Sequence, residues 1–402
     1  MIQGSARVAV HIGSKFPVDL LSMVQRLLHP PDASFFLLGP RATGKTTWIG
    51  QHFPRAPLYD LLRSDEHLRL SRDPSVFGRE CAELPEESWI VVDEVQRIPA
   101  LLDEVQRLMT TRRQRFVLSG SSARKLKRGG ANLLGGRAEL LTLFPFTFAE
   151  LDFDRELDAA LEHGMLPLAV TSSRPRAFLK SYVETYVREE VQAEALVRQI
   201  GSFVRFLEVA ARVNGQVVNV SGIARDAAVA RPTVQDYFQI LVDTLLAVWL
   251  PAWKLKKGVK QVHHPKLYLF DCGVARHLAG MGHLPVHPEE RGFLFETLIL
   301  HELRAHLHYS GADAPVFFWR THDGTEVDFV VETARGLVAI EVKSTERWDA
   351  RFGAGIARLR AEHGPLRAAF GVYCGARAVK QDDLRVLPWK TFLKELAQGG
   401  IV

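Results

Sequence analysis

The sequence predicts an α/β protein built on a parallel β-sheet that helices cover on both faces. Three short apolar runs support this prediction. They occupy residues 35–38, 89–92 and 116–118, and each leads through a polar or glycine-containing segment into helical sequence. Strands buried on both faces read as continuous apolar runs, and strands that alternate with helices form parallel sheets.

The first run ends at a loop with the spacing of a phosphate-binding loop. Residues 39–46, GPRATGKT, fit the pattern G-x-x-x-x-G-K-[ST] and precede a helix expected over residues 45–52. The glycines let backbone amides converge on phosphate oxygens, and the amino end of the helix adds positive partial charge. We expect Lys45 to reach the β- and γ-phosphates and the Thr46 hydroxyl to bind Mg²⁺. The loop therefore predicts an ATP site.

The second run ends in an acidic pair, Asp93 and Glu94. In an ATPase, the first carboxylate at such a strand end holds the Mg²⁺ shell, and the second orients or deprotonates the attacking water. The alternative is an acidic cap on the helix that follows. Next to a phosphate-binding loop, the pair predicts the second half of an ATP-hydrolysing site.

The third run ends in two serines, Ser121 and Ser122, before a basic helical stretch at residues 123–134 and a strand near residues 138–143. A hydroxyl at a strand end can contact the γ-phosphate or its water. It can equally cap the next helix. Both interpretations of Ser121 remain open from the sequence.

Arg137 is the candidate arginine finger, which a neighbouring subunit would present to the γ-phosphate. Arg124 and Arg128 compete for this role, and the alternative is a solvated arginine at a helix end. The residues expected to contact the nucleotide are Gly39, Pro40, Arg41, Ala42, Thr43, Gly44, Lys45, Thr46, Thr47, Asp93 and Ser121.

These motifs resemble a large prokaryotic family of AAA-type ATPases in which an AAA module is joined to a C-terminal domain of unknown function. The segments that carry the resemblance are residues 35–41, 44–48, 92–99, 119–124, 134–137, 182–186 and 243–246. The resemblance implies a P-loop AAA fold that binds ATP. The catalytic residues that the motifs themselves predict are Lys45, Glu94 and Arg137, with Mg²⁺ as the metal. The resemblance also implies a winged helix and a restriction-endonuclease-like, nuclease-type α/β fold in the C-terminal part.

The expected organisation has five parts. They are an N-terminal segment (1–33) that specifies no site, an AAA-type ATPase core (34–150), a helical lid (151–206), a winged-helix domain (207–285) and a nuclease-like domain (286–402). We expect the AAA modules to assemble into a homo-oligomeric ring, with a hexamer as one candidate.

Residues 219–238 read as two short helices joined by a turn, with Pro232 near the start of the second helix. Side chains at the start of a second helix can reach base edges or phosphates. The candidate DNA contacts here are Arg231, Thr233, Gln235 and Asp236. A predicted hairpin over residues 254–270 adds the basic residues Lys254, Lys256, Lys257, Lys260, His263, His264 and Lys266, whose charge suits backbone phosphates. The alternative is a unit that serves packing or protein contacts.

The second strong signal lies at Asp328 and at the run around Glu341 and Lys343. It resembles the PD-(D/E)xK nuclease fold, and Glu296 matches that fold's upstream acidic position. Asp328 and Glu341 would bind Mg²⁺ through carboxylate oxygens, while Lys343, on the same strand face as Glu341, would position or deprotonate water. The alternative is a fold kept for DNA binding or structure that cleaves nothing.

The composition of the chain further limits its expected partners and cellular location. The chain has 402 residues, a formal net charge of +5 and three separated cysteines. The mild basic excess permits contact with nucleic acid. The cysteine spacing gives no metal-binding pair and is typical of reduced thiols in a cytoplasmic protein. Neither a secretory signal nor a membrane-length apolar stretch is apparent, so we expect a cytoplasmic protein without a membrane partner.

Two functions fit these observations. The first is an ATP-driven machine that remodels or translocates on DNA, with branched or forked DNA as a candidate substrate and with possible cleavage by the C-terminal domain. The second is a nucleotide-dependent switch or scaffold for protein partners. The basic hairpin and the Asp328, Glu341 and Lys343 set favour the first function, whereas the modest net charge keeps the second open.

Overall fold

The computed structural model describes residues 24–121, 133–187, 200–254, 264–312 and 314–402. This part of the chain divides into two compact units, one comprising residues 30–39 and 44–141 and the other comprising residues 24–29, 40–43 and 142–402. Some of the candidate site residues lie outside the described residues, and their roles stay predictions: Ser122, Arg124, Arg128, Lys256, Lys257, Lys260 and His263.

The first unit is built on a five-stranded sheet in the order β2-β3-β4-β1-β5. Its strands are β1 (Phe35–Leu38), β2 (Leu58–Asp60), β3 (Trp89–Asp93), β4 (Arg115–Gly120) and β5 (Glu139–Thr142). The helices are α1 (Lys45–His52), α2 (Ser64–Arg72), α3 (Ser75–Ala82) and α4 (Leu101–Thr111). Because β2 pairs with β3, β3 with β4, and β4 with β1, all in parallel, the predicted parallel sheet is confirmed.

The second unit begins with short helices around an aromatic core. These are α5 (Leu157–His163), α6 (Pro167–Thr171), α7 (Pro175–Ser181), a π-helical stretch (Tyr182–Val187) and α8 (Ile200–Arg212). The ring of Phe203 lies 4.9 Å from that of Tyr237, and the ring of Phe206 lies 4.9 Å from that of Phe238. Edge-to-face pairs of this kind add stability beyond the burial of apolar area.

The two predicted short helices are present as α9 (Val220–Asp226) and α10 (Arg231–Asp243). Asn219 caps α9 by accepting a hydrogen bond from Gly222 N at 3.1 Å, and Pro232 lies in the first turn of α10. The predicted hairpin begins earlier than expected: β6 (Ala247–Leu250) pairs antiparallel with β7 (Lys266–Leu269). Helix α11 (Cys272–Leu278) follows.

The C-terminal part of the second unit is a six-stranded mixed sheet in the order β12-β13-β11-β10-β9-β8. Its elements are α12 (Pro288–Tyr309), β8 (Val316–Arg320), β9 (Glu326–Thr333), β10 (Gly336–Lys343), α13 (Ala354–His363), β11 (Ala368–Tyr373), β12 (Val379–Gln381), β13 (Leu384–Pro388) and α14 (Trp389–Ala397). The antiparallel register of β9 and β10 pairs Phe329 with Ile340, so the next positions, Asp328 and Glu341, are neighbours across the strands.

The long helix α12 starts with a capping box formed by His287 and Glu290. Along its length, His301 Nε2 hydrogen bonds with the carbonyl of Phe146 at 2.9 Å, and Glu302 accepts a hydrogen bond from Phe148 N at 2.9 Å. Both contacts fix α12 against residues 146–148 of the same unit.

None of the helices in the described segments combines the length and the apolar character needed to cross a lipid bilayer.

Candidate functional site

The phosphate loop has the curled backbone that its glycine spacing requires. Gly44, the residue before α1, has a φ of 91°, which is a left-handed conformation that favours glycine. Ala42 also lies in the left-handed region, at φ 62°. The Thr43 hydroxyl donates to the carbonyl of Pro40 at 2.9 Å, which closes the loop on itself. Lys45 Nζ donates to the carbonyl of Gly39 at 2.7 Å, so the ammonium group lies against the start of the loop.

Asp93 connects the loop to the neighbouring strand ends of the first unit. Its Oδ2 accepts a hydrogen bond from Thr46 Oγ1 at 3.1 Å, and its Oδ1 accepts from Glu94 N at 3.1 Å and from Ser119 Oγ. A threonine hydroxyl beside a carboxylate is the pair of oxygen donors that P-loop proteins offer to Mg²⁺. The donor set therefore fits the predicted metal role of Thr46 and Asp93. The contact of Ser119 with Asp93 is a feature that the sequence analysis did not identify.

Glu94 is held by a glutamine that the sequence analysis also missed. Its carboxylate accepts a hydrogen bond from Gln96 Nε2, and the same amide donates to Ser121 Oγ at 3.3 Å. Glu94 precedes a short 3₁₀ helix (Val95–Arg97) but forms no side-chain cap on it, so the alternative of an acidic helix cap does not describe this residue. Ser121 is buried beside Gln96, which places it one side chain away from Glu94.

The space for Gln96 is left by a glycine. A Cβ atom at Gly120, the last residue of β4, would overlap the Oε1 of Gln96. The sequence signal that could have revealed this contact is the pair formed by Gln96, two positions after Glu94, and Gly120 at the end of the next strand.

Two further nucleotide-site candidates, Thr47 and Arg137, are half-buried and exposed, respectively. Thr47 lies in the first turn of α1, and Arg137 is exposed, with its Nη1 donating to Thr110 Oγ1 at 2.9 Å. The finger role of Arg137 stays a prediction.

On α10, Arg231 and Gln235 are exposed and Thr233 is half-buried. The face of the helix that carries Val234, Tyr237 and Phe238 is buried. The candidate DNA-contacting side chains thus include the exposed start of the helix. Lys254 is also exposed.

The structure brings together all four candidates for the acidic site. Lys343 Nζ lies 2.5 Å from Glu341 Oε1 and 3.5 Å from Asp328 Oδ2, and Asp328 also accepts a hydrogen bond from Val342 N at 2.7 Å. Glu296, on α12, accepts a hydrogen bond from the hydroxyl of Tyr268 at 2.8 Å. Burial, together with the charge of Asp328, raises the pKa of Glu296 to about 7 and raises that of Glu341 well above its usual range.

The position of Lys266 shows that one prediction from the sequence is wrong. The sequence placed it on a solvated basic hairpin, but it is only 3 % exposed and pairs with Glu296 at 3.5 Å and with Glu326. Burial disfavours its ammonium group, and the charges of Glu296, Glu326 and Asp328 outweigh this effect and raise the pKa of Lys266. Lys266 therefore belongs to the acidic cluster and is not available to backbone phosphates.

The acidic cluster meets one requirement of a cation site. Glu341 Oε2 is buried and has no hydrogen-bond partner within the described part of the chain, so this oxygen is free to bind a cation. Among the residues that the structure describes, however, no group of three or more His, Cys, Asp and Glu side chains has the arrangement of a metal site. The Lys343 ammonium group pairs with both Asp328 and Glu341. The metal role of these carboxylates stays a prediction.

Three family models match consecutive parts of the chain. Residues 32–152 match the model described as "AAA domain", residues 154–284 match a domain of unknown function (DUF8612), and residues 291–392 match a domain of unknown function (DUF4143). The AAA match spans the phosphate loop, Asp93 and Glu94.

Relatives are found among bacterial proteins. Two proteins described as uncharacterised, from Mycobacterium bovis and Mycobacterium tuberculosis, are each 28% identical to this chain over 338 residues, or 81% of this chain and 74% of each relative. Among solved structures, a Walker-type ATPase of Pyrococcus abyssi is 15% identical, covers 61% of this chain and 90% of its own, and superposes with a TM-score of 0.42.

Gly120→Ala tests the packing that holds Gln96. Inserting a methyl group where the Gln96 side chain lies should cost about 1–3 kcal/mol in the free energy of unfolding, measured by urea denaturation. In the double variant with Gln96→Ala the overlap is gone, so the two effects should be strongly non-additive. Gly201→Ala, in α8, is the glycine control: among the described residues a Cβ there meets an Arg205 nitrogen at 3.7 Å, and the substitution should not lower the free energy of unfolding. If the effects of Gly120→Ala and Gln96→Ala on the free energy of unfolding are additive, the proposed packing of Gln96 against Gly120 is wrong.

Residues 32–152 match an AAA domain and fold into a parallel sheet that carries a phosphate loop, and both observations support a P-loop AAA-type module.

Proposed function

We propose that this protein hydrolyses ATP at the loop formed by residues 39–46 and uses the hydrolysis cycle to remodel or translocate on DNA. The observation that carries the ATPase part is the arrangement around Asp93 and Glu94. The two carboxylates at the end of β3 point to different partners, Asp93 to Thr46 and Glu94 to Gln96. This difference supports a role for Asp93 on the Mg²⁺ side of the site and a role for Glu94 towards the attacking water.

Each residue has a distinct role in this mechanism. Backbone amides of the loop and the Lys45 ammonium group bind the β- and γ-phosphates, and Thr46 and Asp93 would hold Mg²⁺, which neutralises charge that develops on the phosphates. Glu94 orients the attacking water and accepts its proton. Gln96, which contacts both Glu94 and Ser121, holds the Glu94 carboxylate in position.

The DNA part of the proposal rests on α10. The helix follows a short turn after α9 and starts with exposed Arg231, which is the position from which a second helix reads a groove. We propose that residues 207–285 form a winged-helix domain and that Arg231, Thr233 and Gln235 contact DNA. The competing function, a switch for protein partners, would leave ATP turnover insensitive to DNA.

Oligomerisation completes the ATPase proposal. Arg137 is exposed, as a side chain must be if it acts on the nucleotide of a neighbouring copy. We therefore propose a homo-oligomeric ring in which Arg137 is the finger.

A second candidate function, metal-dependent phosphodiester cleavage, is favoured by the cluster of Glu296, Asp328, Glu341 and Lys343. The specific observation is the buried, unpartnered Oε2 of Glu341 beside Asp328. A divalent cation bound there would polarise a phosphodiester. Lys343, which contacts both carboxylates, would orient the water.

Lys45→Ala and Glu94→Gln should separate nucleotide binding from hydrolysis. Loss of the ammonium group should weaken binding of a fluorescent ATP analogue by at least about tenfold, whereas Glu94→Gln should bind ATP normally and lower turnover by about 10²-fold or more. Binding is measured by fluorescence titration and turnover by phosphate release. Normal turnover of Glu94→Gln would exclude Glu94 as the base.

DNA stimulation decides between the two functions. Turnover is measured with forked, branched and linear duplex DNA, and we expect at least one structure to stimulate it. In anisotropy titrations, Arg231→Ala combined with Gln235→Ala should weaken DNA binding by about tenfold or more. Arg79→Ala, which removes an exposed arginine from α3, is the control and should bind DNA as the wild type does. If no DNA structure binds or stimulates, the switch function is favoured instead.

The nuclease candidate is tested with the same DNA substrates in Mn²⁺ or Mg²⁺. We expect cleavage by the wild type, and a loss of about 10²-fold or more for Lys343→Ala. Lys380→Ala, an exposed lysine on β12, is the control. Cleavage that persists unchanged in Lys343→Ala would place the activity elsewhere.

A further inference from the structure

Arg26 lies in the N-terminal segment that the sequence analysis left without a site. Its side chain is nonetheless buried, with 5 % exposure. Its Nε donates to Glu150 Oε1 at 2.9 Å, its Nη1 donates to the carbonyl of Thr43 at 2.8 Å, and its Nη2 donates to the carbonyl of Phe144 at 2.5 Å. All of these residues belong to the second unit. One of the carbonyls, that of Thr43, is part of the phosphate loop.

The guanidinium group has little freedom to move. Glu150 is itself fixed, because its two oxygens accept hydrogen bonds from Leu27 N and from Thr147 N, each at 2.9 Å. The guanidinium carbon lies 5.0 Å from the centre of the Phe146 ring. A planar group that is stacked on a ring and bonded to a fixed carboxylate presents its remaining N–H groups in fixed directions.

The contact with Thr43 acts on the peptide that joins Thr43 to Gly44. A peptide unit is planar and trans, so its C=O and N–H point in opposite directions. Fixing the Thr43 carbonyl therefore fixes the direction of the Gly44 N–H, which is one of the loop amides expected to bind phosphate. Nearby, Tyr182 donates through its hydroxyl to the carbonyl of Arg41 at 3.2 Å, so two carbonyls of the loop are held from outside the motif.

We propose that Arg26 is a positioning residue of the nucleotide site, which holds the Thr43–Gly44 peptide in the orientation that binds phosphate. The proposal rests on nucleotide binding by the loop as proposed above. It also connects the loop to α12, because the hydroxyl oxygen of Tyr309, the last residue of that helix, accepts hydrogen bonds from Arg26 Nη2 at 3.3 Å and from Phe144 N at 3.1 Å.

The test compares charge-preserving variants. Arg26→Lys keeps a cation, but a lysine side chain cannot hydrogen bond to Glu150, Thr43 and Phe144 at the same time. We therefore expect the affinity of this variant for a fluorescent ATP analogue to fall about tenfold. The KM for ATP should rise to a similar extent and kcat should change much less, since Asp93 and Glu94 are untouched. Arg276→Lys is the control, because Arg276 is also buried and donates hydrogen bonds to Glu290 and to the carbonyls of Met281 and Leu284. It should keep the wild-type affinity.

Tyr309→Phe and Glu150→Gln keep the proposal testable if Arg26→Lys does not fold. Tyr309→Phe removes a hydroxyl that accepts from Arg26, and Glu150→Gln removes the negative charge and one of the two acceptor oxygens of the carboxylate. Both substitutions change the volume little, and each should weaken analogue binding by about two- to fivefold. A folded Arg26→Lys with wild-type affinity overturns the proposal, and so does an equal loss of affinity in Arg26→Lys and Arg276→Lys. If Arg26→Lys is unfolded, wild-type affinity in both of the other variants overturns it. A wild-type protein that binds no analogue overturns the proposed nucleotide site itself, and this proposal with it.

Discussion

The chemistry of the first unit depends on one constraint, namely that the carboxyl ends of parallel strands meet at a single edge of the sheet. The strand order places β4 between β1 and β3. As a result, the loop that follows β1, the acidic pair at the end of β3 and Ser121, which follows β4, lie at the same edge. Asp93 makes this arrangement explicit, because it accepts hydrogen bonds from both Thr46 and Ser119. Asp93 therefore has two direct partners, Thr46 and Ser119, which lie 47 and 26 positions away from it in the sequence.

A different constraint governs the acidic cluster of the second unit. Asp328 and Glu341 lie on neighbouring antiparallel strands, where like charges directly opposite each other are destabilising. The Lys343 ammonium group pairs with both carboxylates, and Lys266 serves Glu296 and Glu326 in the same way. The raised pKa values of Glu296 and Glu341 show that the two lysines only partly compensate for burial and repulsion. The cluster is therefore one that favours additional positive charge.

The parts of the fold that the sequence predicted are those with a local signal. β1, β3 and β4 are apolar runs buried on both faces, and the phosphate loop is recognised by the spacing of its two glycines, its lysine and its threonine. β2 and α2 were missed because each buries a single residue, Tyr59 in one and Leu70 in the other, so neither has a clear apolar pattern. The hairpin strand at residues 247–250 was missed for a related reason, since its two middle residues are half-buried and no alternation marks its start.

Burial of charge was the property that sequence could not provide. Lys266 was grouped with the basic residues around it, although its environment is set by Glu296 and Glu326, 30 and 60 positions later. Gln96 and Ser119 were likewise overlooked, because their partners are fixed by strand order and not by spacing. A residue's charge is local information, whereas its solvation depends on the whole fold.

The phosphate loop itself also depends on residues that are distant in the sequence, and Arg26 is one of them. Glycines allow the loop to curl, but they also leave its peptides free to rotate, so the conformation that binds phosphate must be stabilised by contacts from elsewhere. In this chain the Thr43 and Arg41 carbonyls receive such contacts from Arg26 and Tyr182, which lie 17 and 141 positions away from them. The motif thus specifies which atoms can bind phosphate, and distant side chains specify where those atoms point. A nucleotide site defined by its motif alone would omit the two side chains that hold these carbonyls.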